Sequence, residues 1–370
     1  MDILIDSLWY ENKHKSDDDI ISKLHQAFPQ LSKTYLTFKV ATLNSDYETS
    51  VFLQDLKTTH DKLHKDMIEK RVYNLIIKTY HAQGTQAWLD DRKKCITAST
   101  AGELLSLSKY TTRQQSIKNK CGYGPIFKGN KYTEHGTKYE DVAAMLYQSM
   151  NLIDLHFLGL VRHKNKSIPI GASPDGILAN GRMLEIKVPM CRQITGEVPV
   201  TYEVQTQMQM EVCELYECDF YENRIVEYDF EEEYYEDGED RHTSSGEIKG
   251  MIGQFFNKTT DKDVWVYPPM WCTSAEMETW IKNQIDVMKR EEPGLTFDTV
   301  LYWRLEKESC VRIQRDHDRM HNQYIPEFKK AWKEIQHHLE TNGVELKDPV
   351  SDDEDESEPV IECVFDSDSD

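Results

Sequence analysis

The stretch GASPDGILANGRMLEIKVP, residues 171–189, alternates charged and apolar side chains in its second half. Successive side chains of a strand point to opposite faces, so Glu185 and Lys187 share one face while the leucine, isoleucine and valine around them share the other. The Pro-Asp-Gly and Asn-Gly turns form a hairpin that returns Asp175 beside this strand. We therefore expect two carboxylates and one ammonium at one edge of an α/β core.

This arrangement suits a divalent metal site. Mg²⁺ is a hard ion that prefers oxygen ligands and keeps several waters, and it can stabilise a phosphodiester transition state while lowering the pKa of an attacking water. Lys187 would orient or deprotonate that water, or offset developing negative charge. The alternative is a salt bridge across a surface hairpin, which is common and contributes little. The apolar opposite face and the Gly-Ala-Ser-Pro-Asp-Gly turn favour the metal site.

The chain of 370 residues is long enough for one large α/β domain with additions, or for two smaller domains. Residues 1–80 show helical periodicity, and we predict an N-terminal helical extension there. Helices and short strands alternate over residues 81–345, which predicts one domain with a central mixed β-sheet flanked by helices. Residues 346–370 have the composition of a disordered acidic tail.

The formal net charge of −21 argues at first against a nucleic-acid partner, because such partners select basic surfaces. The acids are concentrated, however, since residues 351–370 contain ten and residues 227–240 contain nine, with no Lys or Arg in either run. The rest of the chain is close to neutral, which leaves a DNA partner open. We expect a solvated acidic insertion over residues 227–247, and a tail that is a solubiliser or, less often, a protein-binding arm or a DNA mimic.

The composition excludes several classes of protein. No run of residues approaches the about 18 uncharged ones that a membrane span needs, and the N-terminus lacks the basic flank of a signal peptide. The eight cysteines are scattered without a Cys-x-x-Cys pair, which favours reduced thiols over a disulfide framework or a zinc site. We expect a soluble intracellular protein.

Two further segments carry candidate site residues. Glu140 lies in a predicted helix, and from the residues alone it is a solvated carboxylate. Arg92, Thr97 and Ser99 offer a guanidinium and hydroxyls near a predicted helix start, a combination that suits a terminal phosphate. Ser99 could equally be only an N-cap.

The sequence resembles the PD-(D/E)xK nucleases and, among them, the YqaJ-type viral recombinases of the phage lambda exonuclease kind. Four ordered blocks within residues 88–212, about a third of the chain, carry the resemblance. They are the Trp-x-x-x-Arg and Ile-Thr-Ala-Ser segment WLDDRKKCITAST (88–100), the Gly-x-x-x-Glu helix GTKYEDVA (136–143), the metal motif GASPDG with LEIKVP, and the Tyr-x-x-Gln-x-Gln helix YEVQTQMQMEV (202–212). The long acidic and tyrosine-rich excursions favour a member from a large DNA virus.

The resemblance implies a restriction-endonuclease-like core and assigns roles within it. Asp175, Glu185 and the backbone carbonyl of Ile186 would ligate Mg²⁺ or Mn²⁺, and Glu140 would reach the same site, with one or two ions bound. Lys187 would act on the water.

The resemblance also implies a direction of digestion. Arg92, Ser99 and Thr97 would bind the 5′ phosphate of a DNA end, which sets 5′ to 3′ digestion.

The predicted helix over residues 200–216 carries two candidate glutamines. Two positions subtend about 200° on a helix, so Gln205 and Gln207 cannot share one face. The resemblance favours Gln207 at the metal-bound phosphate or water, and places Gln205, Tyr202 and Ser173 in supporting roles.

These inferences predict a Mg²⁺-dependent deoxyribonuclease, a 5′–3′ exonuclease that resects double-stranded DNA ends for recombination, repair or viral genome processing. Its partners would be duplex DNA ends and a single-strand annealing protein, and a ring trimer follows by family analogy. A viral enzyme of this kind would act in the cytoplasm or nucleus of its host. Two alternatives stay open: an endonuclease of the same superfamily, and a catalytically silent end-binding or scaffold protein with the same fold.

Two other patterns are weaker. His60 with His64 and His317 with His321 have i, i+4 spacing, but neither pair has the intervening Glu of an HExxH motif. The basic and aromatic stretch of residues 105–132 either tracks a DNA backbone and stacks an unpaired base, or is an ordinary surface loop.

Overall fold

The computed structural model describes Trp9, Asn12, residues 15–27, Leu36, Val40, and residues 47–125, 129–292 and 294–341. The chain divides into two compact units, Met1–Lys70 and Arg71–Asp370. In the first unit, helix α1 (Asp17–Ala27) buries two apolar side chains against Leu36 and Val40. Helix α2 (Tyr47–Ile76) runs from the first unit into the second. The predicted acidic tail, residues 346–370, lies outside the described residues, and the predicted domain boundaries stay predictions.

Helices of the second unit flank its β-structure. In chain order the described helices are α3 (Gln86–Lys93), α4 (Ala101–Leu104), α5 (Arg113–Cys121), α6 (Lys131–Asn151), α7 (Val200–Cys213), α8 (Glu231–Glu236), α9 (Ser274–Glu291), α10 (His317–Arg319) and α11 (Ile325–Glu340). A 3₁₀ turn (Ala98–Thr100) precedes α4, and a π-helical turn (Met320–Tyr324) joins α10 to α11.

The described strands form two sheets. They are β1 (Ile96–Thr97), β2 (Leu155–His156), β3 (Val161–Arg162), β4 (Ile170–Ala172), β5 (Gly176–Leu178), β6 (Arg182–Lys187), β7 (Glu217–Glu227), β8 (Lys249–Asn257), β9 (Lys262–Val266) and β10 (Leu295–Gln314). The smaller sheet has the order β1-β4-β3 and the larger one β2-β5-β6-β7-β10-β8-β9. β6 and β7 are parallel, whereas the other neighbours in the larger sheet are antiparallel. The predicted α/β fold with a central mixed sheet is confirmed.

The apolar face of β6 packs against helix α6. Leu184, Ile186 and Val188 belong to the same buried cluster as Val142 and Leu146 of that helix. The apolar side chains of β6 therefore share one face of the strand, as the alternation of the sequence predicts.

Helix α7 is held close to helix α4 by a glycine. A Cβ atom at Gly102 would lie 3.0 Å from the Cβ and Cγ2 atoms of Thr201, at the start of α7. The absence of a side chain at Gly102 permits this approach. Tyr202 of the same helix contacts Phe220 of β7, with 5.5 Å between the ring centroids.

Strand β10 joins the two halves of the larger sheet. It spans 20 residues and pairs antiparallel with β7 on one side and β8 on the other. Its register shifts between Phe297 and Thr299 and between Leu305 and Lys307, and such bulges bend a strand and increase its twist. The sequence predicted only the apolar first half of this strand, residues 295–305.

Most residues of the acidic insertion, 227–247, are exposed, and the segment is anchored at a few buried positions. It contains α8, whose Tyr234 is fully buried in a cluster with Met251 and Met277. The buried Lys249 donates hydrogen bonds of 2.6 Å to the backbone carbonyls of Tyr234 and Asp237. Burial of one tyrosine and one lysine holds the segment although most of its side chains are acidic.

Membrane-spanning helices and disulfide bonds can be assessed only for the described residues. None of their helices combines the length and the apolar character that a membrane crossing requires. Their seven cysteines are free thiols.

Candidate active site

The hairpin of β5 and β6 brings Asp175 to the Glu-x-Lys strand. Asp175 immediately precedes β5, and Gly176 pairs with Leu184 of β6 in antiparallel register. The Oδ2 atom of Asp175 accepts a hydrogen bond of 2.7 Å from the backbone N–H of Ile186. This bond holds the carboxylate beside the residue whose carbonyl was expected to ligate the metal.

Glu185 is fully buried, and three side chains donate to its carboxylate. Lys187 Nζ and Gln205 Nε2 (2.5 Å) donate to Oε1, and Gln209 Nε2 donates to Oε2 at 2.6 Å. Lys187 Nζ also donates to the carbonyl of Ile186 at 3.1 Å. The ammonium thus bridges two of the oxygen atoms that the sequence assigned to the metal ion.

Three carboxyl groups, those of Asp175, Glu185 and Glu140, share this site with the single ammonium of Lys187. Burial raises the pKa of Asp175 well above its usual range, and the charge of Glu185 raises it further. Burial also raises the pKa of Glu140, an effect that Lys187 opposes and Glu185 reinforces. Burial by itself would lower the pKa of Lys187, but the charges of Glu185 and Asp175 outweigh it and the pKa is raised. A bound cation would relieve the repulsion between the carboxylates.

Glu140 reaches this group from helix α6. Its side chain keeps access to solvent, although enough protein surrounds the carboxyl group to raise its pKa. The charges of Lys187, Glu185 and Asp175 are close enough to interact with it. The structure therefore brings together four charged residues that the sequence proposed for one site. They are Asp175, Glu185, Lys187 and Glu140.

Gln207 points away from the site, contrary to the expectation from the sequence. Its Nε2 donates to the carbonyl of Gln314 at 2.8 Å, and its Oε1 accepts from the backbone N–H of Asp316 at 2.7 Å. Residues four apart on a helix share a face, so Gln205 and Gln209 meet β6 together while position 207 lies on the other side. Sequence reasoning missed Gln209, which the i, i+4 spacing from Gln205 could have revealed.

Arg92, Thr97 and Ser99 lie together, as the sequence suggested. Arg92 Nη2 donates to Ser99 Oγ at 3.1 Å, and Thr97 Oγ1 lies 3.4 Å from the same oxygen. The guanidinium carbon stacks 4.4 Å from the ring centroid of Trp88, whose Nε1 donates to Ser173 Oγ at 3.1 Å. These contacts link the Arg92 group to the turn that carries the metal-site aspartate.

A pocket of about 270 Å³ opens beside Arg92. Its polar lining includes Thr97, Thr100, Ser116 and Lys120. Thr97 and Thr100, not Ser99, occupy the N-cap positions of the two short helical turns here. The hydroxyl groups and cations of this pocket suit a phosphate ligand.

Tyr202 lies beside the lysine of the metal site. Its ring centroid is 5.2 Å from Lys187 Nζ and 5.8 Å from Arg192 Cζ. Arg192 is paired with the buried carboxylate of Glu222, which stands opposite Lys187 in the parallel register of β6 and β7. Sequence reasoning missed both partners, because their position depends on strand pairing across the sheet.

A second group of metal-competent side chains surrounds Glu211 of α7. Its Oε1 accepts hydrogen bonds from Nε2 of His163 at 3.1 Å and of His321 at 3.0 Å, and its Oε2 accepts one of 2.5 Å from Arg315. His317 Nδ1 lies 3.8 Å from Oε2. Glu211 is thus an acid close to the pair His317 and His321, which had no acid between them in the sequence. The guanidinium of Arg315, bonded to Oε2 of Glu211, disfavours a divalent ion there. The group anchors the C-terminal segment on α7.

Residues 87–216 match the family model of the YqaJ-like viral recombinase domain. This segment belongs to that family. The matched segment contains the hairpin with Asp175, Glu185 and Lys187 and the Arg92 group. The recognition made from the four sequence blocks is confirmed.

Individual proteins similar to this chain come from a virus and from bacteria. An uncharacterized protein of Acanthamoeba polyphaga mimivirus is 30% identical over 286 residues, which are 68% of this chain and 52% of that protein. The chain thus spans about half the length of the curated relative it matches. An alkaline exonuclease, LHK-Exo, from Laribacter hongkongensis is similar in structure, with 18% identity, coverage of 71% of this chain and 98% of that one, and a TM-score of 0.42. A phage-related exonuclease from Haemophilus somnus is 13% identical, and the match covers 67% of this chain and 96% of that one with a TM-score of 0.37.

Proposed function

We propose that the YqaJ-like domain is a Mg²⁺-dependent deoxyribonuclease that digests double-stranded DNA from its 5′ ends, for recombination, repair or viral genome processing. The observation that carries the proposal is the convergence of Asp175, Glu185 and Lys187 where β5 begins and β6 ends, with Glu140 interacting from α6. Membership of a viral recombinase family supports the same activity.

The donor atoms of the site fit Mg²⁺. Asp175, Glu185 and the carbonyl of Ile186 offer hard oxygen ligands, and Glu140 offers a further carboxylate for a second ion. Mn²⁺ accepts the same donors. The position taken by the Lys187 ammonium, between two of these oxygens, is one that favours positive charge. When bound, the ion would stabilise charge on a phosphodiester transition state and lower the pKa of the attacking water.

Lys187 is suited to act on the attacking water. Its ammonium is fixed by Glu185 and the carbonyl of Ile186, and Tyr202 borders it. An ion on the same oxygens would displace the ammonium from them, and the lysine, still beside the ion, could orient the water through a hydrogen bond or neutralise negative charge that develops on the phosphate.

The group of Arg92, Thr97 and Ser99 would set the direction of digestion. A guanidinium can bind a phosphate through two parallel N–H donors, and neighbouring hydroxyls add further donors. A 5′ phosphate bound there would be linked to the metal site through Trp88 and Ser173. Digestion would then proceed 5′ to 3′ and leave single strands for an annealing protein, and a trimeric ring around DNA would keep the enzyme on its substrate.

The test is digestion of linear duplex DNA with 5′ phosphates in Mg²⁺. The wild type should degrade the linear duplex and leave closed circles intact, and Lys187→Ala should slow digestion by about 10²–10⁴-fold. Lys330→Ala removes an exposed lysine of α11 and is the matched control, with wild-type rate expected. Full activity of Lys187→Ala, or no digestion by the wild type with Mg²⁺ or Mn²⁺, would contradict the proposal.

Two other functions predict different outcomes in this assay. An endonuclease of the same superfamily would cut closed circles as fast as linear duplex. A catalytically silent end-binding or scaffold protein would bind DNA ends and digest neither substrate. A binding role alone would not require Glu140 and Lys187 beside the two metal-site carboxylates, which weighs against the silent protein.

A further inference from the structure

A buried carboxylate of β7 lies beside the metal site, and one of its oxygen atoms has no partner. Glu222 is 1% exposed, and its Oε1 atom accepts a hydrogen bond from the guanidinium of Arg192. Its Oε2 atom is buried without a hydrogen-bond partner among the described residues. A buried charged oxygen without a donor is destabilising, because it has lost its water and no protein group replaces it. The free oxygen therefore indicates a donor that arrives in another state of the protein.

The side chain of Lys187 is within reach of this oxygen. Lys187 and Glu222 are partners in the parallel register of β6 and β7, so their side chains leave the same face of the sheet from strands about 4.8 Å apart. The ring of Tyr202 borders both groups, since its centroid is 5.2 Å from Lys187 Nζ and 5.8 Å from Cζ of Arg192, the partner of Glu222. Lysine has a flexible four-carbon stem, so its ammonium can turn from one strand to the next.

Lys187 needs a second position when an ion is bound. Its ammonium bonds Oε1 of Glu185 and the carbonyl of Ile186, which are two of the proposed metal ligands. The main carboxylate charges that act on the ammonium are those of Glu185 and Asp175, and both are proposed to hold the ion. The side chain of Lys187 is only 23% exposed, so an ammonium displaced from these oxygens is unfavourable without a new partner. Glu222 is a carboxylate on the same face of the sheet and outside the proposed ligand set.

We infer that Glu222 is a positioning residue that receives the Lys187 ammonium when a divalent ion occupies the proposed metal ligands. The inference rests on the proposed nuclease function and adds a residue that lies outside the four sequence blocks. Paired with Glu222, the ammonium stays one strand away from the metal ligands, where it can orient the attacking water or neutralise charge on the phosphate. Arg192 bonds the other oxygen of Glu222 and holds the carboxylate in place.

A double-mutant cycle on Mn²⁺ affinity tests the inference. Binding of Mn²⁺ to the full chain is measured without DNA, from the electron paramagnetic resonance signal of the free ion. Glu222→Gln keeps the shape of the side chain and an acceptor for Arg192 but removes the charge that would hold the ammonium. It should weaken Mn²⁺ binding by about 10-fold or more. In the Lys187→Met background the same replacement should weaken binding by about 3-fold or less, because only the direct attraction between the carboxylate and the ion is lost.

The matched control is a carboxylate on the opposite face of the same sheet. Glu308 of β10 pairs with Asn223, the residue after Glu222 on β7, so its side chain points away from the metal site. Glu308→Gln should therefore leave the Mn²⁺ affinity unchanged. Glu222→Gln should also slow DNA digestion at saturating Mg²⁺ by about 10-fold or more, with the Tm of each variant measured to check that it is folded.

A crystal structure of the wild type with Mn²⁺ tests the inference without any variant. Lys187 Nζ should lie within about 3.2 Å of Glu222 Oε2. A Lys187 that stays on Glu185 beside the bound ion, an equal loss of affinity from Glu222→Gln in both backgrounds, or no Mn²⁺ binding at this site would overturn the inference. Digestion of DNA without coupling between Glu222 and Lys187 would refute this inference alone. Coupling without digestion of any DNA would refute the nuclease function and support the role of Glu222.

Discussion

Replacing Gln209 by leucine should weaken the metal site, whereas the same replacement at Gln207 should not. Gln209 donates to Oε2 of Glu185 across 2.6 Å, and the two side chains are 1% and 0% exposed. A hydrogen bond to a charged group contributes about 1.5–3 kcal/mol, and loss of a group that orients a metal ligand costs about 10–100-fold in metal affinity or activity.

The two replacements differ in their expected effect on stability. The Oε1 atom of Gln209 is buried without a hydrogen-bond partner in the described part of the chain, so leucine also removes an uncompensated oxygen and the fold should be retained. Gln207 bonds two backbone groups, the carbonyl of Gln314 and the N–H of Asp316. Its loss should lower the free energy of unfolding by about 1–3 kcal/mol.

The assay is the rate of DNA digestion as a function of Mg²⁺ concentration, with the Tm of each variant measured in parallel. Gln209→Leu should raise the half-saturating Mg²⁺ concentration by about 10-fold or more at nearly unchanged Tm. Gln207→Leu should lower the Tm and leave the half-saturating concentration unchanged. A shift in Mg²⁺ dependence with Gln207→Leu, and none with Gln209→Leu, would refute the assignment of the two glutamines.

Three further predictions concern stability. Glu211→Ala should lower the free energy of unfolding by about 3–5 kcal/mol in urea titrations, because Arg315 is left as an unpaired buried charge; a loss below about 1 kcal/mol would contradict this. Burial alone would raise the pKa of Glu211, but the hydrogen bonds from His163 and Arg315 outweigh it and hold the pKa well below its usual range. The Glu211 carboxylate therefore contributes its full stabilisation above about pH 4.3 and loses it as the pH falls below that value. The Tm of the wild type should fall more steeply in acid than the Tm of Glu211→Gln. Lys249→Met leaves the buried backbone carbonyl of Tyr234 and the partly buried one of Asp237 without their donor, which should cost about 1–3 kcal/mol for the buried group and accelerate amide exchange in α8. Unchanged exchange would argue against the anchoring role.

The metal-site hairpin could be predicted from the sequence because its signals are local. A turn with Pro-Asp-Gly, a second turn with Asn-Gly and a period of two along β6 determine which side chains share a face. The same holds for Arg92, Thr97 and Ser99, which lie within eight positions of one another and meet around a short helical turn.

The long-range partners could not be predicted in this way. Gln209 contacts Glu185 across 24 positions of sequence, and Glu222 faces Lys187 only because β6 and β7 pair in parallel register. The second half of β10 is mostly polar, with apolar alternation only at Val311 and Ile313, yet it is a strand because β7 pairs with it to Gln314.

The sequence by itself determined the mixed α/β class, the hairpin with Asp175, Glu185 and Lys187, and the family, because these depend on local turn chemistry and on ordered motifs. Only the tertiary structure decided which glutamine of α7 meets β6, and that Lys120 enters the Arg92 pocket. The rotation of a helix about its axis is set by all the side chains packed against it, and no spacing within the helix specifies which face the sheet receives.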